Sequence, residues 1–421
     1  MRSRQNPRQT HRENCLRSLY VCYLGLDDPL VYTQVVAYLA GLAQCGHVVH
    51  LLSFEKARLD AARRRALRGE LSVLGISWHG LQYHKRPSLP ATVFDVLCGS
   101  LLSAYLMRRH RLTALHARSH VPAAMALLAR RLAHFRLIFD IRGLMAEEFE
   151  DAGRWTRGSA PFRLTKWVER LGIDRAAAIV VLTERVRDHL FGGGGDSRVA
   201  VIPCCADIAG IEGQRGRREA IRRQLGLGDR PVLIYVGKFT GWYLGREMAE
   251  FFVAAREAIP GLHFLILTQM DPQPIEHELA RLGVRDGDCT ITQAEPAAVG
   301  GYLAAADAAI SLIRASFSKI SSSPTKIGEY LAAGLPLVST SGVGDIDALL
   351  DEFEIGVRVE TFDPAALTRA STRLATLLAD PDHAARSRSA ARARLSLTDV
   401  GIPAYDAIYS RLAAAPWLRT P

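Results

Sequence analysis

From about Arg17 onward, short apolar runs alternate with longer stretches in which apolar residues recur every three to four positions. The runs have the character of strands buried on both faces, and the longer stretches that of helices packed over them, so repeated βα units around a parallel sheet are expected. The pattern predicts strands at 18–24, 48–53, 71–76, 114–117, 137–140, 178–182 and 199–202, with helices at 31–44, 93–109, 122–132, 162–171 and 184–190. The glycine run 192–195 resembles a phosphate loop, but it follows a helix and precedes a strand, which makes it a turn. Across 210–230 the pattern lapses into Gly, Arg and Gln around one short helical segment, and an interdomain linker is expected there. A second series follows, with strands at 232–236, 263–268, 288–291, 308–312 and 337–339 and helices at 246–258, 275–282 and 325–333. From about Pro364 the chain reads as helix only.

With 421 residues the chain exceeds the size at which one hydrophobic core keeps growing, so two domains follow. The expected organisation is an α/β fold of two Rossmann-like domains facing a cleft. The first is placed at 17–205, a linker at 206–230, the second at 231–395, and a C-terminal helix returning to the first domain at 396–421. Hydrophobic residues at 48% and charged residues at 23% exclude a disordered or collagen-like chain.

No uninterrupted apolar run has the length of a membrane span, and the polar opening 1–14 lacks the apolar core of a secretory signal, so a cytoplasmic protein is expected. The seven cysteines form no CxxC pair, which suggests neither a zinc site nor a disulfide framework. The net charge of +10 gathers in the first half, at Arg63 to Arg65, at Arg108, Arg109 and Arg111, and at Arg130 and Arg131. Such clusters attract an anionic membrane surface or a phosphate-bearing acceptor, or are solvated surface; no nucleic-acid-binding signature accompanies them.

The segment SSSPTKIGEYLAAGLPLVST, 321–340, carries the most chemistry. Ser323 is a good helix cap and Pro324 suits the first helical position, so a helix should begin here and end near Gly334. Lys326 then falls in the first turn, where it opposes the helix dipole and takes the place of a capping Glu or Gln. A bound anion would relieve that conflict. Backbone N–H groups, the hydroxyls of Ser321, Ser322, Ser323 and Thr325, and the Lys326 ammonium together describe a diphosphate cradle. Glu329, one turn on, is placed to accept hydrogen bonds from ribose hydroxyls. The same two charges also read as a surface Lys326–Glu329 pair.

This segment resembles the donor-binding signature of family 4 glycosyltransferases of the GT-B fold, in the variant SPxKxxEYxAxGxP frequent in bacterial surface-polysaccharide assembly. The resemblance runs from about Leu19 to about Asp380. It implies a metal-independent hexosyltransferase that takes a nucleoside-diphosphate sugar as co-substrate, with no cofactor, and acts on a glycan or polyprenyl-linked glycan. It also implies retention of anomeric configuration by a front-face route in which the leaving phosphate helps to deprotonate the acceptor. Glu329 matches the family's ribose-binding glutamate. Ser321 stands where the family has its other glutamate, which leaves the usual acidic contact to the donor sugar unassigned.

After the strand VLIYVGK come Gly237 and Lys238, then Gly245 and Arg246. In similar enzymes a basic pair here neutralises the leaving diphosphate, which gains charge as the glycosidic bond breaks. Lys238 fits that role; Arg246, at an unusual spacing, reads equally as solvated surface. In the first domain the loop GLDDPLVYTQ offers Gly25 and Gln34 to the donor, while Asp27 and Asp28 read as a helix start rather than a metal site. Two loops follow strand ends, where open α/β sheets place ligands. One is His116-Ala117-Arg118-Ser119-His120, with Arg118 at the position of the family's histidine and His120 beside it. The other is Asp140-Ile141-Arg142-Gly143 with Glu147 and Glu148; Arg142 is a candidate for phosphate or sugar and Glu147 for acceptor, and an Asp140–Arg142 salt bridge is the rival reading. His84, Lys85 and Arg86 form an acceptor-side patch. Rival functions are a nucleotide-sugar 2-epimerase of the same shape and a non-catalytic partner subunit. An NAD-linked dehydrogenase lacks support, because no GxGxxG follows the first strand.

Overall fold

The computed structural model describes residues 15–86, 88–193, 195–285 and 287–416. The opening segment 1–14 and Gly194 of the glycine turn lie outside the described residues. The chain divides into two compact units, one of residues 1–202 with 401–421, the other of residues 203–400.

The first unit is a seven-stranded sheet in the order β3-β2-β1-β4-β5-β6-β7, every pairing parallel. Its strands are β1 (Arg17–Cys22), β2 (Val48–Glu55), β3 (Ile76–Gln82), β4 (Ala114–Arg118), β5 (Arg136–Ile141), β6 (Ala178–Val181) and β7 (Val199–Val201). All but the third were expected to within a few residues. The apolar run at 71–76 straddles two elements: Leu67 and Leu71 are the buried residues of helix Ala61–Val73, Gly75 turns the chain at φ 78°, and β3 starts at Ile76. Three arginines on the solvent side hid that helix. The C-terminal helix Ile402–Ala414 packs in this unit, with Tyr405, Ile408, Tyr409 and Leu412 buried.

The second unit is a six-stranded parallel sheet in the order β10-β9-β8-β11-β12-β13. Its strands are β8 (Val232–Val236), β9 (His263–Leu267), β10 (Cys289–Thr292), β11 (Ala308–Ser311), β12 (Leu337–Thr340) and β13 (Gly356–Val359). β13 follows helix Ile346–Phe353 and had no counterpart in the sequence pattern. The expected linker is part of this unit. Helices Ile208–Glu212 and Arg218–Gln224 lie in it, Ile208, Ile221 and Leu227 join its core, and Arg222 bonds the Ala305 and Gly228 carbonyls and Asp307. Arginine content suggested solvent, but here the guanidinium groups satisfy buried strand and helix ends.

In both sheets the order of the parallel strands reverses once, between β1 and β4 and between β8 and β11. In open parallel sheets such a reversal sends the flanking connections to opposite faces, and the crevice this makes beyond the C-terminal strand ends is where ligands bind.

Candidate functional site

In the second unit the crevice is bounded by the turn after β8 and by helix Thr325–Ala333. Gly237 has φ 129°, and a Cβ there would lie 2.9 Å from the Lys326 Nζ, so only glycine lets the turn approach the lysine. The helix has Pro324 at its N-cap and no side-chain cap, which leaves first-turn N–H groups facing outward. Ser323 is not the cap: its hydroxyl accepts the Cys204 N–H at 3.0 Å and ties the loop to the segment after β7. Gly334, left-handed at φ 89°, closes the helix as its sequence position suggests.

Lys326 does not pair with Glu329. Its ammonium lies over the rings of Tyr243 and Tyr235, 3.7 and 4.4 Å from their centroids, and donates to the Tyr235 hydroxyl at 3.2 Å. Burial pushes its pKa down to about 7 against the opposing pull of Glu329, and burial pushes Glu329 up to about 7. The surface-pair reading is therefore replaced by two groups poised near neutrality, with no ion-pair partner for either among the described residues. One residue along the same aromatic run, Lys319 sits 3.8 Å above the Trp242 ring. Sequence inspection missed Lys319, which lies in the 3-10 turn Phe317–Ser321 and shows no motif of its own.

Two expectations here need correction, those for Ser321 and Arg246. Ser321 is buried and its hydroxyl donates to the Ser318 carbonyl at 2.7 Å, so it braces the loop rather than facing a ligand. Arg246 is 67% exposed and pairs with Glu250 at 2.9 Å and Glu278 at 3.8 Å on its own side of helix Gly245–Ala258. Lys238 is exposed, and its carbonyl, rather than its ammonium, meets the Tyr235 hydroxyl. Ser322 and Thr325 are part-exposed beside the helix start.

In the first unit the loops after β4 and β5 converge. Ser119 takes φ 74°, unusual for a residue with a side chain, and its N–H bonds the Asp140 carbonyl at 2.8 Å. That turn starts helix His120–Ala129 and buries His120, whose Nε2 meets Glu169 at 2.9 Å. Lys166 joins Glu169 to Glu147, the latter contact being 2.8 Å. Burial opposes the Glu169 charge, but His120 and Lys166 outweigh it and hold its pKa below the usual range; for Lys166, burial is outweighed by Glu169 and Glu147 and its pKa is raised.

A second network surrounds Asp140. Burial opposes its charge, yet Arg142 at 3.5 Å, His116 at 3.5 Å and Arg118 together keep it near pKa 2. The C-terminal helix adds Tyr405, whose hydroxyl donates to Asp140 at 3.1 Å, and Tyr409, whose hydroxyl is 3.0 Å from the His116 Nδ1. The Asp140–Arg142 salt bridge is thus present, and Arg142 is largely buried with it. Arg118 is part-exposed, and its Nε has no partner among the described residues. Tyr405 and Tyr409 escaped sequence reasoning because they lie some 265 to 293 positions from the groups they touch.

Gly25 sits where a Cβ would meet Asp27 at 2.5 Å and Glu55 at 2.9 Å, and Glu55 also accepts the Leu26 N–H. Asp28 caps the next helix through the Leu30 N–H, as a helix start should. Gln34 is buried in the π-helical turn Tyr32–Val36. In the acceptor-side patch His84 is fastened to buried Asp95 by its Nδ1 at 2.6 Å and its N–H at 3.0 Å, with the Tyr23 hydroxyl on the same carboxylate; Lys85 and Arg86 remain exposed.

A family model described as a glycosyl transferase 4-like domain matches residues 31–205, and one described as glycosyl transferases group 1 matches residues 230–376. Among curated proteins, an alpha-D-kanosaminyltransferase of Streptomyces kanamyceticus is 32% identical over 84 residues, 18% of this chain and 20% of that protein. The match thus spans about a fifth of that relative. A glycosyltransferase from Rickettsia africae superposes with a TM-score of 0.72 at 15% identity, covering 96% of this chain and 100% of the other. Anabaena HepE in complex with UDP gives 0.66 at 14% identity, covering 94% and 100%. A sucrose-phosphate synthase from Thermosynechococcus elongatus gives 0.66 at 17%, covering 95% and 100%. These likenesses carry the two-domain α/β architecture with its parallel sheets.

Proposed function

Because the chain belongs to the group 1 glycosyltransferases, with a 4-like domain ahead of its group 1 domain, we propose that it moves a sugar from a nucleoside-diphosphate sugar to a glycan or lipid-linked glycan. The observation that carries this reading is Lys326, held over two aromatic faces beside Gly237 at an uncapped helix start. Aromatic rings favour the cation without consuming it as a carboxylate would, so its charge stays available to a diphosphate. Lys238 and Lys319 add charge as the leaving group develops its own, and the reaction needs no metal or cofactor under this reading. Glu329 accepts the ribose hydroxyls. Arg118, part-exposed, faces the donor sugar and the patch at His84, Lys85 and Arg86 takes the acceptor, while His120 and Glu147, buried against Glu169 and Lys166, hold the loops in place instead of meeting a ligand. Retention of configuration, with the leaving phosphate as base, and a place in bacterial surface-polysaccharide assembly complete the reading.

Thermal-shift titration with UDP-, GDP- and TDP-sugars tests it, because a ligand at 100 times its dissociation constant adds about 2.7 kcal/mol of stability. Lys326→Ala and Glu329→Ala should each abolish the shift; a shift surviving both puts the donor elsewhere. Epimer formed from UDP-N-acetylglucosamine without acceptor would favour a 2-epimerase, and binding without turnover a non-catalytic subunit.

Under this reading the enzyme works in the cytoplasm, peripheral on the inner membrane face. Among the described residues one helix is long and apolar enough to cross a bilayer, Leu89–Arg109, and its inner face, including Ala91, Asp95, Ser103 and Leu106, is buried in the first unit. Its outer face exposes Leu89, Val93, Leu97, Leu101 and Tyr105 at four-residue steps, with Phe94 beside them. Asp95, the only acid of this helix, is buried, and Lys85, Arg86, Arg108 and Arg109 bracket the stripe. An apolar stripe with a basic rim suits the surface of an anionic bilayer. Leu97→Glu with Leu101→Glu should cut co-sedimentation with phosphatidylglycerol vesicles at least tenfold; equal binding to neutral vesicles would refute the charge argument.

A further inference from the structure

At the opposite end of the first sheet from Arg118 and Arg142, three histidines meet. His50 lies near the start of β2, His79 in β3, and His110 just beyond helix Ser88–Arg109. One ring nitrogen from each lies within 4.8 Å of the other two, and His50 Nδ1 is 3.0 Å from His79 Nε2. The rings of His50 and His79 are nearly parallel, at 7°, while His110 meets His50 at 45° with centroids 4.6 Å apart. Among the described residues no carboxylate is paired with these rings, and a His–His contact without an acid uses one lone pair and one proton where both rings could be ligands.

We infer that His50, His79 and His110 form a site for a divalent transition-metal ion of the zinc type, tying β2, β3 and the end of helix Ser88–Arg109 together. Three imidazoles and one small ligand make a tetrahedral set, with Zn–N bonds of about 2.0–2.1 Å. That geometry places ligand nitrogens roughly 3.4 Å apart, so His50 and His79 need a shift of a few tenths of an ångström. His110 supplies the larger adjustment from its part-exposed position after the helix. Metal ligation requires an imidazole nitrogen with its lone pair free, and one nitrogen of each of the three rings is directed at the same point. Arg17, which bonds the His110 and Arg111 carbonyls at 2.9 and 3.2 Å, and Arg68 place positive charge nearby. Those guanidinium groups oppose a dication and favour an anion, chloride or hydroxide, as the fourth ligand. The ion would brace the domain at a distance from the transfer chemistry, so the inference stands independently of the proposed activity.

The test is titration of the chelator-treated full-length protein with ZnCl2 by calorimetry, and with CoCl2 by visible absorption. One equivalent should bind, Co2+ should show the visible bands of a tetrahedral nitrogen and oxygen set, and His110→Ala should weaken binding about 100-fold without changing far-UV circular dichroism. His79→Gln should do the same. Sub-stoichiometric binding, unchanged affinity in His110→Ala, or a thiolate-to-cobalt charge-transfer band would each overturn the assignment; the last would move the ion to a cysteine.

Discussion

The two strand-edge crevices handle charge in opposite ways. In the first unit His120, Glu169, Lys166 and Glu147 form one chain of contacts, and His116, Asp140, Arg142 and the two C-terminal tyrosines another. The ionised groups there are balanced by protein. In the second unit Lys326 rests on aromatic faces, and Glu329 has no hydrogen-bond partner among the described residues. Folding pairs the charges of the first set, while it leaves Lys326 and Glu329 poised near neutrality. Residues of the first should therefore matter to stability, and those of the second to binding.

The largest contrast is expected in stability. Glu169→Ala leaves buried His120 without its partner and Lys166 with Glu147 alone, and should cost about 3 kcal/mol in urea unfolding. Lys326→Met removes a cation that burial penalises and should leave unfolding unchanged or delay it while destroying nucleotide binding. Equal losses from the two changes would erase the distinction.

Next comes pH. A diphosphate favours the charged form of Lys326, so binding takes up a proton above about pH 7, and affinity should fall toward tenfold per unit as pH rises. Ribose hydroxyls favour ionised Glu329, so binding must release a proton below about pH 7, and affinity should fall on that side too. Calorimetry with UDP should give a maximum near pH 7, and Glu329→Gln should flatten the acid limb alone. The first unit behaves otherwise: the depressed pKa of Asp140 contributes stability above its unfolded value of about 3.9, lost only as pH falls toward about 2.

The smallest effects should come from Ser321→Ala and Arg246→Ala. One hydroxyl braces a loop and one guanidinium sits in a surface ion pair. Each change should alter stability by no more than about 1 kcal/mol and nucleotide affinity less than twofold. A large loss of binding in either would return that residue to the donor site.

Much of the fold could be read from periodicity, because strands buried on both faces leave unbroken apolar runs and their covering helices leave spaced ones. The helix 325–333 could be read to its ends, since Pro324 and Gly334 have few other uses. The donor motif was legible for the same reason: its residues are local, within one turn of each other. What failed was arginine-rich sequence. Helices Ala61–Val73 and Arg218–Gln224 present guanidinium groups that either cover the surface or satisfy buried carbonyls, and composition cannot separate those uses.

Neighbours along the chain suffice to give the βα repeats, the helix carrying Lys326 and Glu329, and the location of the first-unit candidates at strand ends. Which charges are paired is settled by packing. Lys326 lies on Tyr235 and Tyr243 instead of Glu329, His120 reaches Glu169, and Tyr405 reaches Asp140. Those contacts join residues far apart in the chain, and the balance between desolvation and pairing that sets each charge exists only once they are packed together.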